Sequence, residues 1–148
     1  MTNNKIYLVT GSTGFVGSKL VEFLIKKNCH VICIYNKKKN LQNSKKITWI
    51  KCNLEKNKIN LNKFNFIDAV FIASGANSGA NLSENDFLNR NEKTLINTVL
   101  SVSGKTKKII NVSSQVVYGK QNKIGIRESQ KISLNYNPYS ISKINEKS

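Results

Sequence analysis

Short apolar runs alternate with longer mixed stretches along this chain, and both strand and helix periods are legible in them. Ile6-Tyr7-Leu8-Val9 predicts a buried strand. Behind it Phe15, Val16, Leu20, Phe23 and Leu24 recur at three-to-four spacing, which predicts a helix that ends near Lys27-Asn28 with those residues as its apolar face. His30–Tyr35 predicts a second strand, and the short link suits a βαβ unit with a parallel sheet. Further strands are predicted over 47–52, 68–73 and 108–113. Residues 55–66 are polar and rich in Asn and Lys, a loop or short helix crossing back over the sheet with Leu61, Phe64 and Phe66 as anchors. Over 86–102 the positions of Phe87, Leu88, Leu95, Ile96, Val99 and Leu100 predict a helix, stopped by Gly104-Lys105. The pattern is that of an α/β fold with a doubly wound parallel sheet, and 148 residues suffice for one domain with a real core.

The first strand runs directly into Thr10-Gly11-Ser12-Thr13-Gly14-Phe15-Val16-Gly17. Strand, glycine-rich turn and helix together are what holding a pyrophosphate requires. Gly11 turns the chain off the strand, Gly14 leaves room for phosphate oxygens, and Gly17 lets the helix pack close to the sheet. The N–H groups at the helix start then meet the negative charge. Small residues at 74–80 after the fourth strand leave a ligand room to approach. At the end of the second strand stand Tyr35 and Asn36, then Lys37-Lys38-Lys39. No carboxylate is there to accept from an adenosine ribose, and lysines can pair with a 2′-phosphate, so NADP is favoured over NAD.

Charge and composition change this picture little. Formal net charge is +16, but 22 of the 24 basic residues are lysine, scattered in short groups at predicted element ends, which reads as a solvated surface and not a nucleic-acid site. The 22 asparagines beside them are what an AT-rich coding sequence would give. Cys29, Cys33 and Cys52 form no CxxC pair and the single histidine, His30, has no cluster around it, so neither a metal site nor a disulfide framework is expected. No apolar stretch is long enough to span a membrane and no signal-peptide core is present, which predicts a cytoplasmic protein.

Near the end, Pro138 suits the first turn of a helix, which places Tyr139 and Lys143 one turn apart on one face. A free phenol has a pKa near ~10, and a neighbouring ammonium favours the phenolate, which suits Tyr139 to general acid/base work.

TGSTGFVG at 10–17, with its GxxGxxG spacing, SSQVVYG at 113–119 and PYSISK at 138–143 closely resemble the extended short-chain dehydrogenase/reductase family, the NAD(P)-dependent epimerases, dehydratases and reductases. The resemblance covers essentially the whole chain and implies a Rossmann-type fold. It implies a cofactor site of Gly11, Ser12, Thr13, Gly14, Phe15, Val16 and Gly17, then Tyr35, Asn36 and Lys37. Asn53 and Leu54 would lie at the adenine, where the family usually reads Asp-Leu. Ala73, Ser74 and Gly75 follow, and Asn91 stands where the family often has an asparagine that props the active site. The family's usual Gly-Thr just beyond is replaced by Thr94-Leu95. Tyr139 is implied as acid/base, Lys143 as partner of the tyrosine and the nicotinamide ribose, and Ser114 as the residue that orients the substrate oxygen.

Dehydratases of the family tend to carry Asp-Glu after the catalytic hydroxyl; Gln115-Val116 stands here, which favours an epimerase or ketoreductase on a nucleotide sugar. Family members continue past the point corresponding to Ser148 with another strand and a substrate-binding part. The chain therefore reads as a Rossmann domain over 1–148, truncated before that part. The alternative is a truncated, non-catalytic dinucleotide-binding module. A homodimer through 86–102 and the helix starting at Tyr139 is a further implication of the resemblance.

Overall fold

In the computed structural model of the chain, residues 5–37, 44–76, 82–119, 125–132 and 137–145 are described. Leu8 and Val9 are neighbours in sequence, both fully buried, and they belong to two different hydrophobic clusters. That is the mark of a strand covered on both faces, which is where a parallel sheet puts its apolar runs. The same division recurs between Ile32 and Ile34 on one side and Val31 and Cys33 on the other. The strands are β1 (Ile6–Thr10), β2 (His30–Tyr35), β3 (Ile47–Lys51), β4 (Ala69–Ile72) and β5 (Ile109–Asn111). They form a parallel sheet of order β3-β2-β1-β4-β5. The helices are α1 (Phe15–Lys26), α2 (Glu84–Val102) and α3 (Pro138–Asn145), with a 3-10 helix over Gln115–Tyr118.

Two compact units make up the chain. The sheet lies in the first, Met1–Gly75 with Lys93–Val112; Ala76–Glu92 with Ser113–Ser148 form the second. In the first unit α1 covers one sheet face through Val21 and Leu24, which join Val9, Cys29, Val31 and Cys33. The other face meets Leu54, Ile59, Leu61, Ile67 and Val102. Residues 53–67 cover it without a regular helix. Side chains from α2 satisfy the backbone of this segment: Asn97 donates to the Leu54 carbonyl at 2.7 Å, and the Ile59 N–H donates to Ser101 at 2.8 Å. Phe66, expected to anchor the segment, is 52% exposed, and Ile59 and Ile67 are buried instead.

Both long helices bury a different line from the one their apolar residues suggest. On α1 the buried residues are Gly17, Val21 and Leu24, whereas Phe15, Val16 and Phe23 are exposed. A glycine at the centre of the packed face adds nothing to a hydrophobic pattern, so the pattern points beside it. On α2 the buried line is Phe87, Asn91, Thr94, Thr98 and Val102, while Ile96, Val99 and Leu100 are exposed. Here polar residues occupy the packed face. Asn28 ends α1 at φ 63°, and Gly104 follows α2 at φ 71°, both in the left-handed region where these residue types are tolerated.

All three thiols are free. Burial pushes the Cys33 thiol up to about 12, partly offset by the neighbouring Ser12 hydroxyl. His30 opens β2, its Nε2 lies 2.9 Å from the Thr48 hydroxyl, and burial lowers its pKa.

Candidate functional site

Strand order reverses direction at β1: β2 lies on one side of it and β4 on the other. A sheet of this kind opens a crevice at the carboxyl ends of the strands flanking that reversal. The glycine loop lies there. Gly11 has φ 61°, and a Cβ on it would stand 2.6 Å from the Ala73 carbonyl oxygen. Only a residue without a side chain lets the loop lie against the end of β4. Beside it the hydroxyls of Thr10 and Ser74 are 2.7 Å apart, and the Ser74 N–H donates to Thr10 Oγ1 at 3.3 Å. Ser12 is fully buried and ties the loop to β2 by donating from its hydroxyl to the Ile34 carbonyl at 2.8 Å.

Gly14 N-caps α1, with no side-chain cap and no acidic residue in the first turn. The positive end of this helix is thus not offset by any carboxylate or capping side chain of its own first turn. A Cβ on Gly14 would meet only the Gly11 carbonyl oxygen, at 3.2 Å, with other directions open. A Cβ on Gly17 would instead overlap that same oxygen, so Gly17 seats the helix on the loop, where close approach to the sheet was expected. An open backbone face at an uncapped helix start fits a dinucleotide's pyrophosphate. Thr13 is half-buried, and Phe15, 89% exposed, projects from the rim together with Val16.

At the end of β2, Tyr35 is half-buried with its ring edge-on to Trp49 at 5.8 Å, while Asn36 and Lys37 are exposed. Lys38 and Lys39 lie outside the described residues, as do 77–80 of the loop beyond Ala73, Ser74 and Gly75. Asn53 uses its amide oxygen locally, accepting from the Glu55 N–H at 3.1 Å, and Leu54 is buried.

The second unit holds the reactive types. Asn137, Pro138 and Ser140 start α3 with a reciprocal cap: Asn137 Oδ1 accepts from the Ser140 N–H at 2.9 Å, and Ser140 Oγ accepts from the Asn137 N–H at 3.1 Å. Pro138 then sits at the first helical position. Tyr139 is half-buried with its ring edge-on to Phe87 at 5.9 Å, and Lys143, one turn on, is buried. The 3-10 helix packs against α3. Ser114 heads it, accepting from the Val116 N–H at 3.4 Å, and next to it the Ser113 hydroxyl is buried without a hydrogen-bond partner. Asn91 bridges two places: its Oδ1 accepts from the Ala76 N–H at 2.7 Å, and its Nδ2 donates to Ser142 at 2.9 Å.

The sequence reading missed Thr10, Asn137, Ser140 and Ser142. An Asn followed by Pro and, three residues on, Ser is a readable start signal for a helix. Nothing local marks the Ser142 contact. Among the described residues no group of His, Cys, Asp and Glu could hold a metal ion, and no helix is long and apolar enough to cross a membrane.

With this geometry in place, the chain belongs to the NAD dependent epimerase/dehydratase family, whose model matches residues 7–146. Its fold is shared with UDP-glucose 4-epimerase from Bifidobacterium longum in complex with NAD+ and UDP, at 20% identity and TM-score 0.77, covering 97% of this chain and 47% of that one. The Bordetella bronchiseptica enzyme WbmH in complex with NAD+ matches at 18% identity and TM-score 0.78, covering 97% and 50%. The NAD-dependent NDP-hexosamine 5,6-dehydratase TunA, involved in tunicamycin biosynthesis, matches at 18% and TM-score 0.76, covering 96% and 47%. The chain thus spans about half the length of these solved structures. No curated protein matches it.

Proposed function

We propose that residues 1–148 form the NAD(P)-binding and catalytic portion of an epimerase or ketoreductase that acts on a nucleotide sugar. The observation that carries this reading is the joint presence of an open, uncapped glycine cradle at the β1–β4 reversal and a capped helix bearing Tyr139 and buried Lys143. The Gly14 N–H donates to the Gly11 carbonyl oxygen at 2.9 Å, so the backbone N–H groups of 15–17 in the first turn of α1 hold the pyrophosphate, with Thr13, Phe15 and Val16 at its edge. Ser12 acts from below by fixing the loop. Tyr35, Asn36 and Lys37 face the adenosine ribose, Asn53 and Leu54 the adenine, and Ala73, Ser74 and Gly75 the central part of the dinucleotide.

A nicotinamide held by these residues would supply the hydride chemistry, as acceptor and donor in an epimerase or as donor in a ketoreductase. The chain's own residues handle the proton and the geometry. Tyr139 takes the proton from the substrate hydroxyl, or gives it to the carbonyl, at its phenolic oxygen. Lys143 supplies the cation that stabilises the phenolate and donates to the nicotinamide ribose. Ser114 donates to the substrate oxygen and orients it. Solved relatives in complex with NAD support NAD as the cofactor, and Lys37 supports NADP. Gln115-Val116, in place of an acidic pair, supports epimerisation or reduction over water elimination.

The test is a titration of the chain with NADH and with NADPH, followed by nicotinamide fluorescence. Saturable binding of either is expected, with NADPH preferred if Lys37 meets a 2′-phosphate. Absence of binding to both would sink the reading and leave no dinucleotide site.

A further inference from the structure

Asn91 and Ser142 are 2% and 3% exposed, polar residues on α2 and α3 respectively. The Asn91 amide is used at both ends, toward Ala76 and toward Ser142, across separations of 15 and 51 residues. Ser142 has a single proton, which it donates to the Tyr139 carbonyl oxygen at 2.9 Å while its lone pair takes the Asn91 N–H. No rotation of either side chain keeps all three bonds. The backbone at Ala76, within the small-residue loop that follows β4, is thereby tied through two buried side chains to the helical turn carrying Tyr139 and Lys143.

We propose that Ser142 is a positioning residue: together with Asn91 it fixes the Tyr139–Lys143 turn against the chain at Ala76. The contribution of Lys143 to dinucleotide binding then depends on the Ser142 hydroxyl. This rests on the reading above that Lys143 holds the cofactor ribose. Alanine at 142 leaves Asn91 Nδ2 buried without its acceptor, a penalty the site relieves by letting the two elements part. A threonine keeps the oxygen.

A double-mutant cycle with NADH as the probe separates positioning from general loosening, which would not be specific to Lys143. In the wild-type chain, Lys143→Met is expected to weaken NADH binding by about tenfold or more, the size of a charge-assisted hydrogen bond. In the Ser142→Ala background the same change is expected to cost less than about twofold, with the larger effect restored in Ser142→Thr. Asn91→Ala removes the other partner and is expected to act as Ser142→Ala does, and it decides the matter if Ser142→Ala does not fold by circular dichroism. An equal loss on Lys143→Met in every background overturns the positioning role and leaves the ribose contact standing. No loss in the wild-type chain overturns the ribose contact itself, and the positioning role with it.

Discussion

A Cβ on Gly11 would stand 2.6 Å from the carbonyl oxygen of Ala73, so at Gly11 the turn leaving β1 meets the end of β4 backbone to backbone. Gly11 also has φ 61°, where an L side chain is strained. Gly11→Ala adds a backbone collision to that strain. We expect it to destabilise the chain by about 3 kcal/mol or more, in the range of a core defect, and to separate Thr10 from Ser74. Urea unfolding measures the loss; a change within about 0.5 kcal/mol, as at an ordinary surface site, would show that the turn relaxes freely.

Gly14→Asp separates ligand binding from stability. Gly14 is an extended N-cap, with φ −80° and ψ 175°, at a helix start with no acidic residue. Asp is among the best N-caps and its charge suits the helix dipole, a combined gain of about 1 kcal/mol, reduced by the 3.2 Å approach to the Gly11 carbonyl oxygen. The same carboxylate repels a pyrophosphate. The expected result is a thermal midpoint unchanged or raised, with NADH binding lost. Retained NADH binding in Gly14→Asp would move the pyrophosphate away from this helix.

The strands were legible because each is a short apolar run, the central β1, β2 and β4 largely buried and β3 and β5 at the sheet edges only partly so; β2 falls on His30–Tyr35 as expected, β1 runs one residue past Val9, and β3, β4 and β5 are one to three residues shorter than their runs. Helix existence was legible too, but not which face is packed. Gly17 on α1 and Asn91, Thr94 and Thr98 on α2 sit at the centre of the buried lines, where a count of apolar residues cannot register them. The glycine cradle could be read because its requirements are local, a strand end and a helix start joined by the four residues Gly11-Ser12-Thr13-Gly14. The bridge from Ala76 through Asn91 to Ser142 joins positions far apart in sequence and has no periodic signature. The cover over 53–67 was missed in detail for the same reason, since its hydrogen bonds come from Asn97 and Ser101 on α2.

Cys33 gives the stability a pH dependence at the alkaline end. Burial raises its pKa from 9.0 to about 12 in the folded chain. The native state therefore keeps the thiol proton that the unfolded chain releases. Its contribution is fully present below the unfolded value of 9.0 and is lost as pH rises toward about 12. Between about pH 8 and about pH 10, spanning the ordinary thiol pKa, the urea midpoint of the wild-type chain should fall further than that of Cys33→Ala. Parallel falls would mean that the thiolate is accommodated in place. The native thiol should also resist alkylation across that interval.

The cap on α3 makes the final prediction, because it lies next to the proposed catalytic residue. Asn137 accepts the Ser140 N–H and Ser140 returns the bond, so two N–H groups at the start of the helix have partners before the first turn closes. Asn137→Ala removes one acceptor and should cost about 1 kcal/mol, whereas Asn137→Asp keeps the oxygen and should cost close to nothing. Tyr139 lies two residues beyond the cap with its ring against Phe87, so fraying there loosens the phenol before it unfolds the helix. NADH affinity should therefore fall in Asn137→Ala and recover in Asn137→Asp, in step with stability. Full affinity in Asn137→Ala, despite the lost stability, would mean that dinucleotide binding does not depend on the first turn of α3.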